Sequence, residues 1–380
     1  MKFKSLLCYM LVLLMIACKN ESETAKGTDE EIVENGNEVS QEWVSYTGKA
    51  DMPNIVLISG DEEYRSEEAL PQLAKILTER HGFNTQVLFA QDPNVPGIIN
   101  ANYLQNIPGL ESLNNADLMV IFTRFRALPD KQMMHIDNYL KSGKPVIGIR
   151  TATHAFNFKE KDDTSYAHYG NYYDGNDEWK GGFGRLVLGE KWISHHGHHK
   201  HQSTVGIIAP DAESHPIMNG IGDKDIWGPS DVYGVRLPLP GDAKPLILGQ
   251  VTNRAGEYDE EDALYGMKPT DSEIAKINSA SEDKSTNPNS PMMPVAWTKS
   301  YQIPEGKSGQ AFTSTVGAGT DMLSEGVRRM YVNAVFHLLG KKVPARADVN
   351  VVGDYKPTAF AFTKDGHWEN KNVAISSLMR

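Results

Sequence analysis

Three apolar runs separated by helical patterns constrain the fold of this chain more than any other feature. Residues 54–59 (NIVLIS), 117–123 (DLMVIFT) and 145–149 (PVIGI) are apolar on both faces, as is typical of buried parallel strands. A helix is predicted to begin at Ser66, and another is predicted over residues 131–141. Alternating strands and helices with short turns favour an α/β fold with a doubly wound, mostly parallel sheet flanked by helices.

The patterns loosen in the second half of the chain. Further strands are predicted at residues 85–89, 205–209, 245–251, 293–297 and 310–316, and a further helix at residues 327–339. Long loop insertions are also expected, because residues 153–185 lack a clear period and residues 253–292 are polar, as in a surface insertion. These patterns predict one α/β domain over residues 44–345, with a C-terminal extension, residues 346–380, that packs on it.

The N-terminus predicts export from a bacterial cell. Residues 1–17 place a basic start before an apolar run that is too short for a permanent membrane helix, as in a signal peptide. Ala17 and Cys18 close a segment that looks like a lipobox, which predicts a lipid anchor in the cell envelope, on the periplasmic face or the cell surface. An ordinary secretory peptide cut near Ala17 is the alternative. Residues 18–43 are polar and acidic, and they predict a disordered tether.

Cysteine content and charge exclude several classes of function. The chain has 2 cysteines, Cys8 and Cys18, and both fall in the leader or at its anchor position. The folded part therefore lacks disulfide bonds, cysteine-ligated zinc and thiolate chemistry. The formal net charge is -11 and no basic block is present, which argues against a nucleic-acid partner.

Charged and polar side chains follow three of the predicted strands. Ligands bind beyond the carboxyl ends of parallel strands, so these side chains are expected to share one rim of the sheet. Arginine suits carboxylates, phosphates and vicinal hydroxyls, while carboxylates serve as acids, bases or hydroxyl acceptors. A solvated loop charge is the alternative for each residue alone. The candidates are Asp61, Glu63 and Arg65, then Arg124 and Arg126, then Arg150, Thr151 and His154.

A histidine-rich stretch at residues 195–201 contains five of the chain's 12 histidines. Clustered imidazoles suggest a zinc, nickel or copper site, with His196 and His198 as the candidate ligands. Gly197 implies a turn, however, and no carboxylate stands at a fixed ligand spacing. We therefore expect no metal or other cofactor, and a hydrogen-bonding role toward a ligand for His195 and His196.

Aromatic residues crowd the segment that leads into the histidine-rich stretch. Their rings could stack on the C–H faces of a sugar, or they could form a small satellite core beneath a long loop. The residues are Tyr166, Tyr169, Tyr172, Tyr173, Trp179, Phe183 and Trp192.

At these residues the chain resembles the ThuA-like family, named for trehalose utilisation, within the class I glutamine amidotransferase-like superfamily. The matching segments are the opening strand with its acidic turn, residues 143–156 (GKPVIGIRTATHAF), 215–217 (HPI), 231–233 (DVY) and 294–297 (PVAW). The histidine-rich stretch looks like that of a secreted branch of the family. This resemblance implies a flavodoxin-like sheet and the handling of sugars or oxidised sugars, with a small carbohydrate as the ligand.

Two departures limit what the resemblance implies. True amidotransferases place a nucleophilic cysteine after the fourth strand, where this chain has Arg150 in Gly148-Ile149-Arg150. Glutamine hydrolysis through a thioester is thereby excluded. The family also tends to carry Gly-His near the last strand, where this chain has Gly317-Ala318, with Asp321 close by.

Three functional hypotheses follow. The favoured one is acid/base chemistry on a sugar or keto-sugar, with Glu63 or Asp61 as the base, and His154 or a histidine of residues 195–201 as the acid. Arginines would clamp hydroxyl or oxyanion groups, and the second half of the chain would complete the pocket. The alternatives are a non-catalytic sugar-binding lipoprotein and a metal-binding envelope protein. The clamps would be Arg124, Arg126 and Arg150, and the completing residues Asp231 and Tyr233.

Overall fold

The computed structural model describes residues 41–159, 162–278 and 286–379. The predicted signal peptide, Cys18 and residues 18–40 of the predicted tether lie outside these described residues. The strands, in chain order, are β1 (Trp43–Tyr46), β2 (Asn54–Gly60), β3 (Asn84–Phe89), β4 (Leu118–Thr123), β5 (Val146–Ile149), β6 (Ser194–His195), β7 (Gln202–Ile208), β8 (Trp227–Gly228), β9 (Tyr233–Gly234), β10 (Lys244–Asn253), β11 (Glu273–Ile274), β12 (Met293–Tyr301) and β13 (Gly309–Ser314).

One half of the main sheet is parallel. Strands β3, β2, β4, β5 and β13 lie side by side in that order, and each neighbouring pair is parallel. Side chains alternate between two cores, so that Leu57 and Val120 face one core while Val56 and Met119 face the other. Burial on both faces explains why these strands are continuous apolar runs in the sequence. The α/β class predicted from those runs is confirmed.

The other half of the sheet is antiparallel. Strands β12, β10, β7 and β8 continue in that order from β13, and each pair is antiparallel. Only residues 302–308 connect β12 to β13, which is too short for the crossover that a parallel pair needs. Strand β1 adds an antiparallel edge beside β3, and β6 and β9 form a separate two-stranded sheet. The sheet is therefore mixed, with its parallel order confined to five strands.

Helices cover both faces of the sheet. Residues of α1 (Ser66–His81) and α4 (Glu325–Leu338) pack in the core that contains Leu57. Residues of α2 (Asp130–Lys141) pack in the core that contains Val56. Ser66 was predicted to start α1, and the helix does begin there, but its hydroxyl group bonds to Ser59 rather than capping the helix. The helices are α1 (Ser66–His81), α2 (Asp130–Lys141), α3 (Gly182–Leu186), α4 (Glu325–Leu338) and α5 (His367–Lys371).

Two late segments contribute buried residues to the core. Tyr265 and Met267 lie in the segment predicted as a surface insertion, and both are buried. Phe360 and Trp368, in the C-terminal extension, are also buried, and the Tyr265 hydroxyl group donates a hydrogen bond to the Phe360 carbonyl. These contacts place both segments beside the carboxyl end of β2, where Tyr64 stacks on Phe360. Among the described residues, no helix has both the length and the apolar character that crossing a membrane requires.

Candidate active site

Arg150 occupies a strained turn at the carboxyl end of β5. Its φ angle is 47°, which a residue with a side chain rarely adopts. The guanidinium group is wholly buried between the rings of Tyr64 and Tyr233, at 4.2 and 3.9 Å from their centroids. Its Nη atoms donate to the Thr315 carbonyl, to the Asp231 carbonyl at 2.8 Å and to Asp231 Oδ1 at 3.0 Å. Arg150 therefore positions Asp231 and is not free to clamp a ligand.

Asp231 holds two imidazoles of the histidine-rich stretch. Its Oδ2 lies 2.8 Å from His195 Nδ1, and its Oδ1 lies 3.0 Å from His199 Nδ1. Burial opposes the charge of this carboxylate, but Arg150 and the two imidazoles outweigh burial and hold its pKa well below the usual range. Asp231 is therefore ionised and accepts hydrogen bonds from both rings.

Glu63 lies on the far side of His199. Its Oε1 is 3.4 Å from His199 Nε2, and its Oε2 is 3.8 Å from Arg124 Nε. Burial, reinforced by the charge of Asp61, raises the pKa of Glu63 to about 7. Burial also lowers the pKa of His199, although Asp231 opposes this shift. His199 thus connects one carboxyl group that titrates near neutrality to one that stays ionised.

We call Asp231, His195, His199 and Glu63 the carboxylate–imidazole cluster. His195 is its most accessible member, with 38% of its side chain exposed. Burial opposes the protonation of His195, but the hydrogen bond to Asp231 and the charge of Asp231 leave its pKa raised overall. The cluster therefore meets solvent through His195, while its carboxylates stay buried.

His154 lies beside this cluster as a buried, neutral ring. It packs against Phe125 and Trp192, with ring centroids 4.9 and 5.4 Å away. Burial and the nearby charges of Arg124 and Arg150 hold its pKa well below the usual range. The predicted role of His154 as a proton donor is therefore unfavourable at neutral pH, and the ring instead forms part of a wall.

A second set of charges, Glu62, Arg124 and Arg126, forms what we call the arginine clamp. Glu62 accepts hydrogen bonds from both arginines, one on each carboxylate oxygen. The wholly buried Arg126 also donates to the Ala101 carbonyl at 2.9 Å and to the Arg124 carbonyl at 2.7 Å. Every nitrogen atom of Arg126 therefore has a partner within the chain, and none is left for a ligand. Of the two arginines, only Arg124 is half-buried at the rim.

Three other predicted site residues stabilise loops. Asp61 Oδ1 accepts the backbone N–H groups of Glu63 and Tyr64, and its Oδ2 accepts the hydroxyl group of Thr151. Both oxygens of Asp61 are therefore occupied, which leaves Glu63 as the more available carboxylate. Arg65 points elsewhere, with its Nε donating to the Thr358 hydroxyl group at 3.2 Å.

His196 and His198, the predicted metal ligands, lie outside the cluster. His196 Nε2 is 2.7 Å from the Pro288 carbonyl, and the His198 ring lies 4.3 Å from that of His201. The described residues that could hold a metal ion are instead His195, His199 and Asp231, which each offer a ligand atom within 4.8 Å of the others. The turn in this stretch places His195 and His199, rather than the candidates His196 and His198, against Asp231.

Sequence reasoning did not single out Glu62, Tyr64 or His199, although the first two follow the first predicted strand and His199 lies in the histidine-rich stretch. Glu62 could have been found, because it follows a strand whose neighbour is followed by two arginines. His199 stands four residues after His195, but nothing in the sequence indicates that the turn between them brings both onto Asp231.

Comparisons with known proteins give one family name. No family model matches the chain, and no curated protein matches it. A solved structure described as a ThuA-like protein from Parabacteroides merdae is 13% identical, with a TM-score of 0.42, and the match covers 82% of this chain and 98% of that one. An exo-β-1,4-mannosidase from Opitutaceae bacterium strain TAV5 is 9% identical, with a TM-score of 0.27, and the match covers 80% of this chain and 37% of that one.

Proposed function

We infer that this chain is a ThuA-like protein of the bacterial cell envelope that performs acid/base chemistry on a sugar or keto-sugar. The sugar class follows from the family resemblance and from the aromatic rings around the rim. A flavodoxin-like, amidotransferase-type core is part of the same proposal. It is supported by the five parallel strands and by the positive φ of Arg150, at the turn where amidotransferases carry their nucleophile.

The observation that carries the proposal is the position of His199 between two carboxylates. Its Nδ1 lies 3.0 Å from Asp231 Oδ1, and its Nε2 lies 3.4 Å from Glu63 Oε1. Because Asp231 takes the Nδ1 proton as a hydrogen bond, Nε2 is left to exchange a proton with Glu63. The His199 ring thus joins two buried carboxyl groups, one that exchanges a proton with Nε2 and one that stays ionised beside Nδ1.

Each group has one role in the proposed reaction. Glu63 accepts the proton of the carbon beside a sugar carbonyl group, which leaves an enolate, and the same carboxyl group returns the proton to the former carbonyl carbon, so that the sugar is isomerised. His199 shares that proton through Nε2, while Asp231 stabilises the charge that forms on the imidazole. Arg124, 3.8 Å from Glu63, binds a hydroxyl or developing oxyanion group. Arg150 is a positioning residue for Asp231.

The proposal excludes amidotransferase chemistry. The side chain that replaces the cysteine is an arginine whose guanidinium group is buried between two tyrosine rings. Location in the envelope is likewise proposed, from the apolar run and from Cys18 as the acylated residue.

The test is a substrate screen with the full chain in detergent micelles. Unmodified and 3-keto disaccharides are incubated with the protein, and products are detected by mass spectrometry. We expect turnover of at least one sugar, and we expect Glu63→Gln to reduce kcat by about 100-fold or more with little change in affinity. Glu213→Gln, which changes an exposed glutamate, is the matched control and should keep full activity.

Two outcomes would replace the proposal. Measurable binding of a sugar without any product would indicate a non-catalytic sugar-binding lipoprotein. A stoichiometric metal ion in the untagged protein, lost in His199→Gln but kept in His196→Gln, would indicate a metal-binding envelope protein. The second comparison is sharp because the two histidines belong to the same stretch, and only His199 contacts Asp231.

A further inference from the structure

A cleft of about 530 Å³ lies beside the arginine clamp, and of its lining residues the proposed acid/base chemistry uses Arg124 alone. Its volume is within the range of small-molecule sites. Glu62 and Arg124 line one part of it, and the amide side chains of Asn102, Gln105 and Asn157 line another. The lining therefore offers both hydrogen-bond donors and acceptors, with few apolar side chains apart from aromatic rings.

Two exposed aromatic rings contact residues that line this cleft. Phe125 lines it and stacks on Tyr172, with ring centroids 5.9 Å apart and an angle of 28° between the planes. Arg124 lies between the rings of Phe125 and Phe362, 4.7 Å from each centroid. Tyr172 is 61% exposed and Phe362 is 55% exposed. Neither ring is needed to fill the core, so their grouping at one cleft calls for a ligand.

The backbone at Phe125 is strained. Its φ angle is 47°, an outlier for a bulky side chain, and a hydrogen bond of 2.9 Å from its N–H group to the His154 carbonyl holds it there. Strained residues that persist cluster at ligand sites, where surrounding contacts fix the conformation. The strain therefore supports a binding function for this ring independently of its exposure.

The C-terminal extension fixes one polar group of the cleft. Asn102 Oδ1 accepts hydrogen bonds from the Thr363 hydroxyl group at 3.1 Å and from Trp368 Nε1 at 3.3 Å. These two donors identify the oxygen of the amide group, so its NH2 group is left as a donor toward a ligand. Phe362 precedes Thr363, so the same segment supplies both an aromatic face and an oriented amide group.

We propose that this cleft is a subsite for the second ring of a disaccharide or glycoside. Aromatic faces beside amide and carboxylate groups match a pyranose, which buries a C–H face on a ring and directs hydroxyl groups to polar neighbours. Arg124 connects the cleft to the reacting position, since it contacts Glu62 in the cleft and lies 3.8 Å from Glu63. The assignment rests on the proposed function for the first ring, which binds at the carboxylate–imidazole cluster.

Binding measurements with one-ring and two-ring probes test the subsite. Trehalose, maltose, cellobiose and gentiobiose are the two-ring probes, methyl glucoside is the one-ring probe, and titration calorimetry on the full chain in micelles gives Kd. For at least one disaccharide, we expect the double variant Tyr172→Ala/Phe362→Ala to raise Kd about tenfold or more, because two stacking faces are lost. For methyl glucoside we expect a change of less than about twofold.

The control is Tyr258→Ala, which removes an aromatic side chain that is 39% exposed and stacks on His201, whereas Tyr172 and Phe362 contact the cleft residues Phe125 and Arg124. It should leave every Kd unchanged. Equal losses for one-ring and two-ring probes, or no loss for either, would overturn the subsite while leaving the proposed function intact. Failure of all five probes and of the 3-keto disaccharides to bind would instead remove the sugar assignment itself, and the subsite with it.

Discussion

Glu62 and Glu63 are neighbours in one loop, yet they lie in opposite environments. Each oxygen of Glu62 accepts a hydrogen bond from an arginine. Burial still raises the pKa of Glu62, but the charges of Arg126 and Arg124 oppose that shift. Glu63 has only longer contacts, 3.4 Å to His199 and 3.8 Å to Arg124, and its pKa rises to about 7. The first carboxylate is used for holding segments together, whereas the second is left able to exchange a proton.

The same contrast separates the two charge groups as wholes. In the arginine clamp, Arg126 has a partner on each of its nitrogen atoms, and two of those partners, Ala101 and Glu62, are distant in sequence. In the carboxylate–imidazole cluster, the buried Asp231 is saturated, but His195 and Glu63 keep atoms without short partners. Buried charged groups whose atoms all have hydrogen-bond partners favour stability and a single conformation. Buried groups with atoms left unpartnered are typical of active sites.

The largest expected effect comes from breaking the clamp. Arg126→Met keeps the length of the side chain but leaves Glu62 with one arginine and leaves backbone carbonyl groups without donors. We expect the free energy of unfolding to fall by about 3–5 kcal/mol, as when one partner of a buried ion pair is removed. Urea unfolding followed by circular dichroism measures the change.

Arg185→Met is the control for that experiment. Arg185 also bonds to a buried glutamate, at 2.8 Å from Glu190, but 36% of its own side chain is exposed. Its loss should cost about 1 kcal/mol or less, because solvent screens a half-exposed pair. Similar losses in the two variants would show that the clamp is no more important for stability than an ordinary surface pair.

A smaller effect, which depends on pH, is expected at Glu63. Because its folded pKa is about 7 and the ordinary value is 4.5, the folded state binds the proton more tightly than the unfolded state. The protein therefore loses stability through this group as pH rises from about 4.5 to 7. Glu63→Gln removes that loss, so its unfolding free energy relative to the natural protein should rise over this range by on the order of 3 kcal/mol.

Parallel urea titrations at several pH values measure the difference. Glu213→Gln, which replaces an exposed carboxylate, is measured beside it as the control. A difference for Glu63→Gln that stays flat with pH would mean that this carboxyl group is ionised throughout, and the contrast with Glu62 would disappear.

The parallel half of the fold could be predicted from sequence because burial on both faces leaves long apolar runs. The predicted strands at residues 54–59 and 117–123 differ from β2 and β4 by a residue at one end. The antiparallel half was located but not oriented, since strand direction depends on connections that a hydrophobic pattern does not encode. Strand β1 was missed because four residues with mixed burial give no clear alternation.

The candidate site was predicted in its composition better than in its contacts. The rule that strand ends carry ligands found Glu63, Arg124 and Arg150 without any structure. It could not tell which charges would pair with one another, because pairing depends on segments that are distant in sequence, such as Asp231. At the histidine-rich stretch, Lys200 adopts a φ of 64°. Such local turns decide which rings face inward, and composition does not reveal them.

The smallest expected effect is at His154, and it distinguishes a ring that only packs in the site from one that donates a proton. The ring is buried among aromatic neighbours and stays neutral, with one long contact of 3.3 Å from Nδ1 to the Thr153 hydroxyl group. His154→Phe preserves a planar ring of similar size, so we expect the free energy of unfolding to change by less than about 1.5 kcal/mol. Turnover should stay within about threefold of the natural protein, because no proton passes through a ring that cannot be charged near neutral pH. If the variant instead lost turnover as severely as Glu63→Gln while keeping its stability, His154 would be an acid after all. The proton path would then run through the wall beside Trp192 rather than through His199.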